Sequence, residues 1–263
     1  MRAMIFAAGL GTRLKPITDT IPKALVPVCS QPLLKHLIDK LKGAGYSEVV
    51  INVHHFAEKI REYVAQNNDF GMKVFFSDES DLLRETGGGI RHAARLLDDG
   101  EPFLVHNVDI LSNLNLEDFY EAHLAESISI DTPLATLLVS ERETARYFLF
   151  DGGNNLVGWM NKLSGEVKSP YSELRREPSE NFDWEKFLLE YSLKKYAFAG
   201  THIISPEVFR LMESWPEKFP IVDFYLQMAD KFIIKAYVKN DLKMVDVGKL
   251  TSLEEAEKFL LCR

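Results

Sequence analysis

The chain is poor in cysteine, in positive charge and in long apolar runs. Its two cysteines, Cys29 and Cys262, lie at opposite ends of 263 residues and show no metal-ligand spacing, so we expect reduced thiols in a cytoplasmic protein. Acidic residues outnumber basic ones, 39 to 31, which argues against a nucleic-acid-binding or anionic-membrane surface. The apolar segments are too short to span a bilayer, and the first residues have no signal-peptide pattern.

Two common phosphate-binding signatures are also missing near the N-terminus. Residues 4–28 have the sequence MIFAAGLGTRLKPITDTIPKALVPV. Leu14 stands where a dinucleotide fingerprint requires a third glycine, and the chain has no Gly-Lys-Ser/Thr triplet of a P-loop. What remains is a turn of small residues whose N–H groups can approach an anion, with Arg13 and Lys23 as cations. This combination favours a polyphosphate site over a simple turn.

Apolar periodicity predicts alternating strands and helices in the first half of the chain. We expect strands in RAMIFAA, SEVVINV, MKVFFS and PFLVHNV, and helices after Pro32, along FAEKIREYVAQN and along GGGIRHAARLL. Repeated β-α-β units of this kind predict an α/β fold with a doubly wound, mostly parallel, Rossmann-like sheet. Ligands bind at the carboxyl ends of such strands, where the opening loop and Asp109 are both expected.

After about residue 130 the pattern changes to short strands. These are expected in TPLATLLVS, RYFLFD, NLVGWMN, KKYAFAGTHIIS, FIIKAYV and LKMVDVG, with a hairpin turn at residues 152–154. Helices are expected in PEVFRLM, IVDFYLQMA and SLEEAEKFLL, and a loop over the polar residues 165–180. We therefore expect residues 1–263 to form one domain, with a nucleotide-binding half over residues 1–130 and a smaller, β-rich substrate half over residues 131–263.

The opening segment resembles the signature of the sugar-1-phosphate nucleotidyltransferases. The glycine loop, the arginine, Leu-x-Pro-x-Thr and Pro-Lys-x-Leu-x-Pro occur in order, and the similarity continues through ETGGGI, FAGTHIIS and VDVG, so that it covers nearly the whole chain. ETGGGI resembles the branch that includes N-acetylmuramate-1-phosphate uridylyltransferase, and mannose-1-phosphate guanylyltransferases are the next most similar group. The resemblance implies the nucleotide-diphospho-sugar transferase fold.

The resemblance also implies which residues bind the nucleotide: Ala8, Gly9, Gly11, Thr12, Arg13, Lys23, Glu79, Thr86, Gly87 and Gly88. Arg13 would stabilise charge on the phosphates during transfer, and Lys23 would hold the α-phosphate or the sugar phosphate. Asp109 and Asp246 would bind Mg²⁺, an ion that takes oxygen ligands. Arg13, Lys23 and Asp109 are the implied catalytic residues.

The sugar is expected to contact the second half of the chain, at Asn161, Lys162, Gly200 and Asp223. Gly200 matches the glycine that lets the sugar approach the backbone. Lys162, within GWMNKLSGE, stands for the lysine that touches the sugar phosphate in many relatives. The family usually has glycine before the metal-binding aspartate, whereas this chain has Val108.

In the implied reaction, an oxygen of a sugar 1-phosphate attacks the α-phosphorus of a nucleoside triphosphate and pyrophosphate leaves. The best match is UTP with N-acetylmuramate 1-phosphate or a similar sugar, which places the enzyme in nucleotide-sugar and cell-wall synthesis. The alternatives are a mannose- or heptose-1-phosphate guanylyltransferase, a CTP-dependent transferase acting on a non-sugar phosphate, and a non-catalytic nucleotide-sugar-binding subunit. We expect a monomer or a homodimer.

Overall fold

Strands and helices alternate along the first half of the chain in the computed structural model, which describes residues 1–127, 132–180 and 182–261. The strands of this half are β1 (Arg2–Phe6), β2 (Pro27–Val28), β3 (Gln31–Pro32), β4 (Glu48–Val53), β5 (Lys73–Asp78), β6 (Phe103–Asn107) and β7 (Ile110–Ser112). The helices are α1 (Leu33–Gly43), α2 (Ala57–Gln66), α3 (Glu85–His92), α4 (Ala94–Leu97) and α5 (Leu116–Ser127).

The second half is richer in strands. They are β8 (Ala135–Ser140), β9 (Arg146–Phe150), β10 (Leu156–Asn161), β11 (Glu166–Lys168), β12 (Lys194–Ile204), β13 (Ile234–Val238) and β14 (Met244–Asp246). The helices are α6 (Trp184–Glu190), α7 (Glu207–Met212), α8 (Ile221–Met228) and α9 (Ser252–Leu261).

A sheet of ten strands runs through both halves, in the order β11-β10-β9-β12-β6-β1-β4-β5, with β8 also pairing with β12 and β13 pairing with β8. In the first half, β1 pairs in parallel with β4 and β6, and β4 pairs in parallel with β5. In the second half, β12 runs antiparallel to β6, β8 and β9. The predicted α/β class is confirmed, with parallel pairing throughout the large sheet's first half and mostly antiparallel pairing in the second half, where β8 and β13 form a parallel pair.

Apolar clusters cover both faces of β1, β4 and β6, which explains their mainly apolar sequences. On one face of β1, Ile5 belongs to a buried cluster that includes Leu37 of α1. On the other face, Met4 belongs to a cluster that includes Ile90 of α3 and Phe224 of α8. Complete burial of such a side chain contributes about 1.5–3 kcal/mol to stability. The packing of α3 on this face brings its first turn to the carboxyl end of the sheet.

Six elements were not expected from the sequence: β2, β3, β7, β11, α5 and α6. The expected loop over residues 165–180 is wrong where β11 pairs with β10, and residues 172–174 form a 3₁₀ turn. A three-residue strand with one buried side chain, Val167, has too little apolar alternation to be recognised. The start of α6 did carry a signal, because the Asp183 carboxylate accepts a hydrogen bond from the Lys186 N–H at 3.0 Å.

Three smaller expectations concern the hairpin, the thiols and the membrane. The turn at residues 152–154 joins antiparallel β9 and β10, as predicted, with the Asn154 N–H donating to the Asp151 carbonyl at 3.1 Å. Cys29 is a free thiol, and Cys262 lies outside the described residues. Within the three described ranges, the helices are too short or too polar to cross a membrane.

Candidate active site

A cavity of about 430 Å³ opens at the carboxyl ends of β1, β4 and β6. Six residues predicted from the sequence line it: Ala8, Gly9, Lys23, Glu79, Thr86 and Asp109. They come from the opening loop, from the segment between β5 and α3, and from the residues after β6. The strand-end prediction therefore placed the opening loop and Asp109 correctly.

Asp109 and Asp246 are brought together by a short two-stranded sheet. Asp109 directly precedes β7, and Asp246 ends β14, whose residues pair antiparallel with β7 so that Asp246 faces Ile110. The Val247 N–H also donates to the Asp109 carbonyl at 2.8 Å. Burial and the negative charge of Asp109 raise the pKa of Asp246, while Lys23 and Arg13 oppose this shift. The two carboxylates thus concentrate negative charge that attracts cations.

The Lys23 ammonium forms an ion pair with the Asp109 carboxylate, and both side chains are largely buried, at 13% and 16% exposed. The backbone before Lys23 is held by Gly11, which has a left-handed φ of +63°. A Cβ on Gly11 would lie 2.8 Å from the Thr18 methyl carbon and 3.2 Å from the Lys23 Cβ. The Thr18 hydroxyl donates to the Gly11 carbonyl at 2.8 Å. The loop therefore needs glycine at this position to fold back onto Lys23.

Arg13 does not line the cavity but lies beside the second carboxylate, Asp246. A Cβ on Gly248 would lie 2.7 Å from an Asp246 carboxylate oxygen and 2.8 Å from an Arg13 guanidinium nitrogen. The glycine of VDVG is thus required because both charged groups pass directly over it. The Arg13 and Thr12 side chains are exposed, so they lie outside the cavity wall.

Thr86, Gly87 and Gly88 hold the start of α3 against the segment that leads into α8. The Thr86 hydroxyl accepts from the Ile221 N–H at 2.9 Å, and the Gly87 and Gly88 N–H groups donate to the Phe219 carbonyl at 2.9 and 3.1 Å. A Cβ on Gly87 would lie 2.3 Å from the Phe219 ring. Both glycine N–H groups are therefore used within the protein, and Thr86 is the member of this turn that lines the cavity.

Glu79 is fully buried and forms part of a polar network that sequence reasoning missed. Its carboxylate accepts from the Asn52 amide at 2.8 Å and from the Arg84 N–H at 3.0 Å. The Asn52 side-chain oxygen in turn accepts from the N–H groups of Ala7 at 2.7 Å and Ala8 at 3.2 Å. The available signal was a single polar residue inside the apolar strand VVINV.

A second cavity, of about 340 Å³, adjoins the first and shares Pro220 with it. Its wall contains three basic side chains, Arg142, Arg146 and Lys168, and one acidic side chain, Asp223. Asp223 therefore faces a cavity, as the sugar-binding prediction required, and it lies in the first turn of α8. The excess of basic over acidic groups suits an anionic ligand.

Aromatic rings complete this second cavity, among them Trp159 and Phe198. The Lys168 ammonium lies 5.4 Å from the centroid of the Trp159 ring, within the range of a cation–π interaction. Arg142 donates to the Phe198 carbonyl at 2.8 Å. Burial lowers the pKa of Arg142, and the negative charge of Asp246 opposes that shift. Arg142 therefore lines the second cavity and also interacts electrostatically with Asp246.

The donor set near the first cavity fits a hard divalent cation. In the part of the chain that the structure describes, His, Cys, Asp and Glu side chains form no group of three that could hold a metal. Asp109 and Asp246 are therefore a pair without a third protein ligand of these types. Mg²⁺ commonly binds through one or two carboxylates together with substrate phosphates, and the pair fits that pattern.

A family model described as "Nucleotidyl transferase" matches residues 2–263. The chain belongs to this family. Among nucleotidyl transferases, it is 43% identical over 109 residues to the N-acetylmuramate alpha-1-phosphate uridylyltransferase of Caulobacter vibrioides, over 41% of this chain and 45% of that protein. It is 38% identical over 125 residues to the mannose-1-phosphate guanylyltransferase catalytic subunit beta of Danio rerio, over 47% of this chain and 34% of that protein. The matched regions thus span less than half of these two relatives.

The fold is shared with solved structures over nearly the full chain. The crystal structure of HddC from Yersinia pseudotuberculosis complexed with GMP-PN has a TM-score of 0.70 and 23% identity, and covers 98% of this chain and 99% of that chain. At this identity the likeness concerns the fold alone. The resemblance stated from the sequence motifs is confirmed by the family match and the named relatives.

The remaining sugar-binding residues predicted from the nucleotidyl transferase resemblance line neither cavity. Asn161 ends β10 and Lys162 begins the turn to β11, where the Lys162 ammonium lies 3.5 Å from the Glu143 carboxylate. Gly200 has a φ of +72°, and a Cβ on it would lie 2.6 Å from the Asn107 side-chain nitrogen. Asn107, which lines the first cavity, therefore covers the position where the sugar was expected to approach Gly200.

Val108, at the position usually held by glycine in the family, lines the first cavity and is 3% exposed. Its N–H donates to the Phe6 carbonyl at 3.1 Å, which continues the pairing of β6 with β1. Its side chain belongs to the buried cluster that includes Leu14 and Val247. Val108 therefore forms part of the apolar core directly beneath the cavity.

Proposed function

We propose that this chain transfers a nucleotidyl group from a nucleoside triphosphate to a sugar 1-phosphate, and that UTP and N-acetylmuramate 1-phosphate or a similar sugar are its substrates. The observation that carries the proposal is the grouping of Lys23 and Asp109 in the wall of the first cavity, with Asp246 and Arg13 beside them. Two cations and a carboxylate pair beside one cavity suit a polyphosphate and its counterion.

The reaction requires two polyanions to meet. An oxygen of the sugar phosphate forms a bond to the α-phosphorus, the bond from that phosphorus to the bridging oxygen breaks, and its electron pair leaves with pyrophosphate. Lys23 and Arg13 hold the phosphate oxygens and reduce the repulsion between the two substrates. Positioning and charge stabilisation account for the acceleration, and no protein nucleophile takes part.

We propose Mg²⁺ as the cofactor, held by Asp109 and Asp246. When bound, the ion neutralises charge on the phosphates during transfer. The Lys23 ammonium forms an ion pair with the Asp109 carboxylate, and both side chains line the cavity where the ion would bind.

The second cavity supports an acceptor that carries a negative group besides its phosphate. N-acetylmuramate has such a group, the carboxylate of its lactyl ether. Arg142, Arg146 and Lys168 offer cations to that carboxylate, and Trp159 offers a flat apolar surface to a sugar ring. The 43% identity with the Caulobacter enzyme supports the same choice.

A guanylyltransferase acting on mannose or heptose 1-phosphate is the second candidate, and Glu79 favours it. A carboxylate that lines the nucleotide cavity can accept from both N1–H and the 2-amino group of guanine, whereas uracil offers a single N–H donor. The Danio rerio relative supports this candidate too.

The deciding experiment measures pyrophosphate release with Mg²⁺ for four nucleoside triphosphates against N-acetylmuramate, N-acetylglucosamine, glucose, mannose and heptose 1-phosphates. Highest kcat/KM with UTP and N-acetylmuramate 1-phosphate is the expected result. Preference for GTP with mannose or heptose 1-phosphate would transfer the assignment to the second candidate. Binding of the nucleotide without turnover on any acceptor would overturn the proposed reaction and favour a nucleotide-sugar-binding subunit.

A further inference from the structure

Asn52 occupies an unusual position for a polar side chain. It is 2% exposed and is the fifth of six residues in the central parallel strand β4, where its neighbours in register are Phe6 of β1 and Ser77 of β5. The other buried residues of this strand are valine and isoleucine. A buried amide is tolerated only where its donors and acceptors find partners, and Asn52 has found them at the wall of the nucleotide cavity.

The orientation of the amide follows from its partners. The oxygen faces two backbone donors, Ala7 N–H and Ala8 N–H, and the nitrogen faces the Glu79 carboxylate. The reverse orientation would set the NH₂ group against two N–H groups and the oxygen against a carboxylate, with both contacts repulsive. Asparagine is thus well suited to this place because it has an acceptor on one side and a donor on the other.

On its acceptor side, Asn52 determines how the opening loop leaves the sheet. The Ala7 and Ala8 N–H groups point at Asn52 and are therefore unavailable to a ligand. These two hydrogen bonds fix the direction of the backbone where the turn begins at Gly9. Backbone N–H groups that bind phosphates must therefore come from residues after Ala8. A small change in the direction of the backbone at Gly9 would displace the loop residues that follow, including Lys23.

On its donor side, Asn52 orients Glu79. One carboxylate oxygen accepts from Asn52, and the other accepts from the N–H of Arg84, the residue directly before α3. The close fit extends to Gly89, where a Cβ would lie 2.9 Å from the first oxygen. Glu79 is therefore bound on one side to Asn52, which also binds the opening loop, and on the other side to the backbone of Arg84, which leads into α3.

We propose that Asn52 is a positioning residue that couples the Glu79 side of the nucleotide cavity to the phosphate-facing loop. The proposal rests on the proposed function, in that a nucleoside triphosphate is the ligand. It assigns no contact between Asn52 and the reacting atoms. Asn52 acts by fixing two backbone N–H groups and one carboxylate in a single hydrogen-bonded unit, so that base recognition and phosphate placement depend on each other.

The hydrogen bond between Asn52 and Glu79 can be tested by exchanging its donor and its acceptor between the two residues. Asn52→Asp retains an oxygen for Ala7 and Ala8 but sets a second carboxylate against Glu79. Glu79→Gln alone supplies an amide that cannot satisfy both Asn52 and Arg84. The double variant restores the pattern, because the new amide nitrogen donates to the new carboxylate and its oxygen accepts from the Arg84 N–H.

Binding is measured by calorimetry with UTP and with inorganic tripolyphosphate, each with Mg²⁺ and without an acceptor. We expect Asn52→Asp to raise the Kd for both ligands at least tenfold and the double variant to recover most of the loss for tripolyphosphate. Recovery for tripolyphosphate but not for UTP would show that Glu79 also contacts the base, and it would support the coupling. A double variant that binds tripolyphosphate no better than Asn52→Asp would overturn the proposal.

Ser205→Ala is the matched control, because Ser205 is buried, contacts the Pro133 carbonyl and His123, and lines neither cavity. It should lower stability without changing either Kd. If Asn52→Asp also lowered stability without changing either Kd, the role of Asn52 would be structural and the proposal would be wrong. If that variant does not fold, Asn52→Ser replaces it, since it removes both contacts without adding charge. These assays need no turnover, so a wild-type protein that binds UTP but lacks activity would contradict the proposed reaction and leave this inference standing.

Discussion

The Lys23 ammonium lies against the Asp109 carboxylate, although the two residues are 86 positions apart in the sequence. Lys23 begins a 3₁₀ turn of the opening segment, and Asp109 follows the central strand β6. The ion pair can form only when β1 and β6 are adjacent, as their parallel register makes them. Folding of the sheet therefore assembles the charged wall of the nucleotide cavity.

Replacing either member should abolish most activity. We expect Lys23→Met and Asp109→Asn each to lower kcat by about 10²–10³-fold, because each removes a fixed charge beside the reacting phosphates. Steady-state pyrophosphate release measures this. The control is Lys35→Met, which breaks the exposed ion pair between Lys35 and Asp39 at 2.5 Å and should leave kcat unchanged. Equal losses in Lys35→Met and Lys23→Met would contradict the assignment.

Asp246 should control the affinity for Mg²⁺. Treatment with a chelator should stop pyrophosphate release, and added Mg²⁺ should restore it. In Asp246→Asn we expect the Mg²⁺ concentration for half-maximal rate to rise about tenfold, because one of the two carboxylates is lost while Asp109 remains. An unchanged Mg²⁺ requirement in this variant would place the ion elsewhere.

Gly11→Ala should impair both stability and activity. The left-handed backbone costs about 1–2 kcal/mol for a residue with a Cβ, and the new carbon would push against Thr18 and Lys23. We expect the free energy of unfolding, measured by urea denaturation, to fall by about that amount, and kcat to fall with it. In Gly43→Ala, where a Cβ meets no atom within 4 Å, stability should hold or rise. Similar losses in both variants would argue against a specific role of Gly11.

The second cavity should discriminate between acceptors by charge. We expect Lys168→Gln and Arg142→Gln to raise KM for N-acetylmuramate 1-phosphate about tenfold and to change KM for N-acetylglucosamine 1-phosphate much less, because only the first sugar has a carboxylate. Lys162→Gln serves as the control, since Lys162 pairs with Glu143 at the β10–β11 turn. A parallel rise for both sugars would show that these cations bind the common phosphate instead.

Three buried histidines should make the fold sensitive to acid. Burial lowers the pKa of His106 and of His123 to about 4, and that of His202 to about 3. Their unfolded pKa is about 6.5, so as the pH falls below that value the unfolded chain binds protons that the folded chain excludes. Stability should be complete above about pH 6.5 and then fall by up to ~1.4 kcal/mol per pH unit for each such histidine.

Urea denaturation between pH 7.5 and 4.5 measures this slope. His123→Gln, which keeps polar contact with Thr136 and Ser205, should reduce it by about one proton. A slope identical to that of the wild type would show that His123 is not one of the groups responsible.

The parallel half of the fold and the first cavity could be predicted because they depend on local signals. Runs of mainly apolar residues identify β1, β4, β5 and β6, and parallel strands place their following loops at one edge. The position of Asp109 just after the apolar run of β6 was enough to identify it as a candidate site residue. Asn52 carried the opposite signal, a polar residue inside an apolar strand, and was overlooked because the run as a whole looked uniform.

The acceptor side could not be predicted in the same way. Lys168 reaches the second cavity only because the three-residue strand β11 pairs with β10, and Lys162, six positions earlier, lies in the turn. The approach of Asp246 to Asp109 likewise depends on pairing between two three-residue strands, β7 and β14. Strands this short have no periodicity of their own, and for Asp246 the family resemblance supplied what periodicity could not.

The strand β12 has a consequence for how such a protein can diversify. Residues 194–196 pair with β9, beside the second cavity, and residues 201–204 pair with β6, beneath the first. The separation of the two cavities is therefore set by the length of one continuous strand. Substitutions in β9, β10 and β11 can change the second cavity without altering that separation, whereas one residue inserted into β12 would shift the two cavities relative to each other.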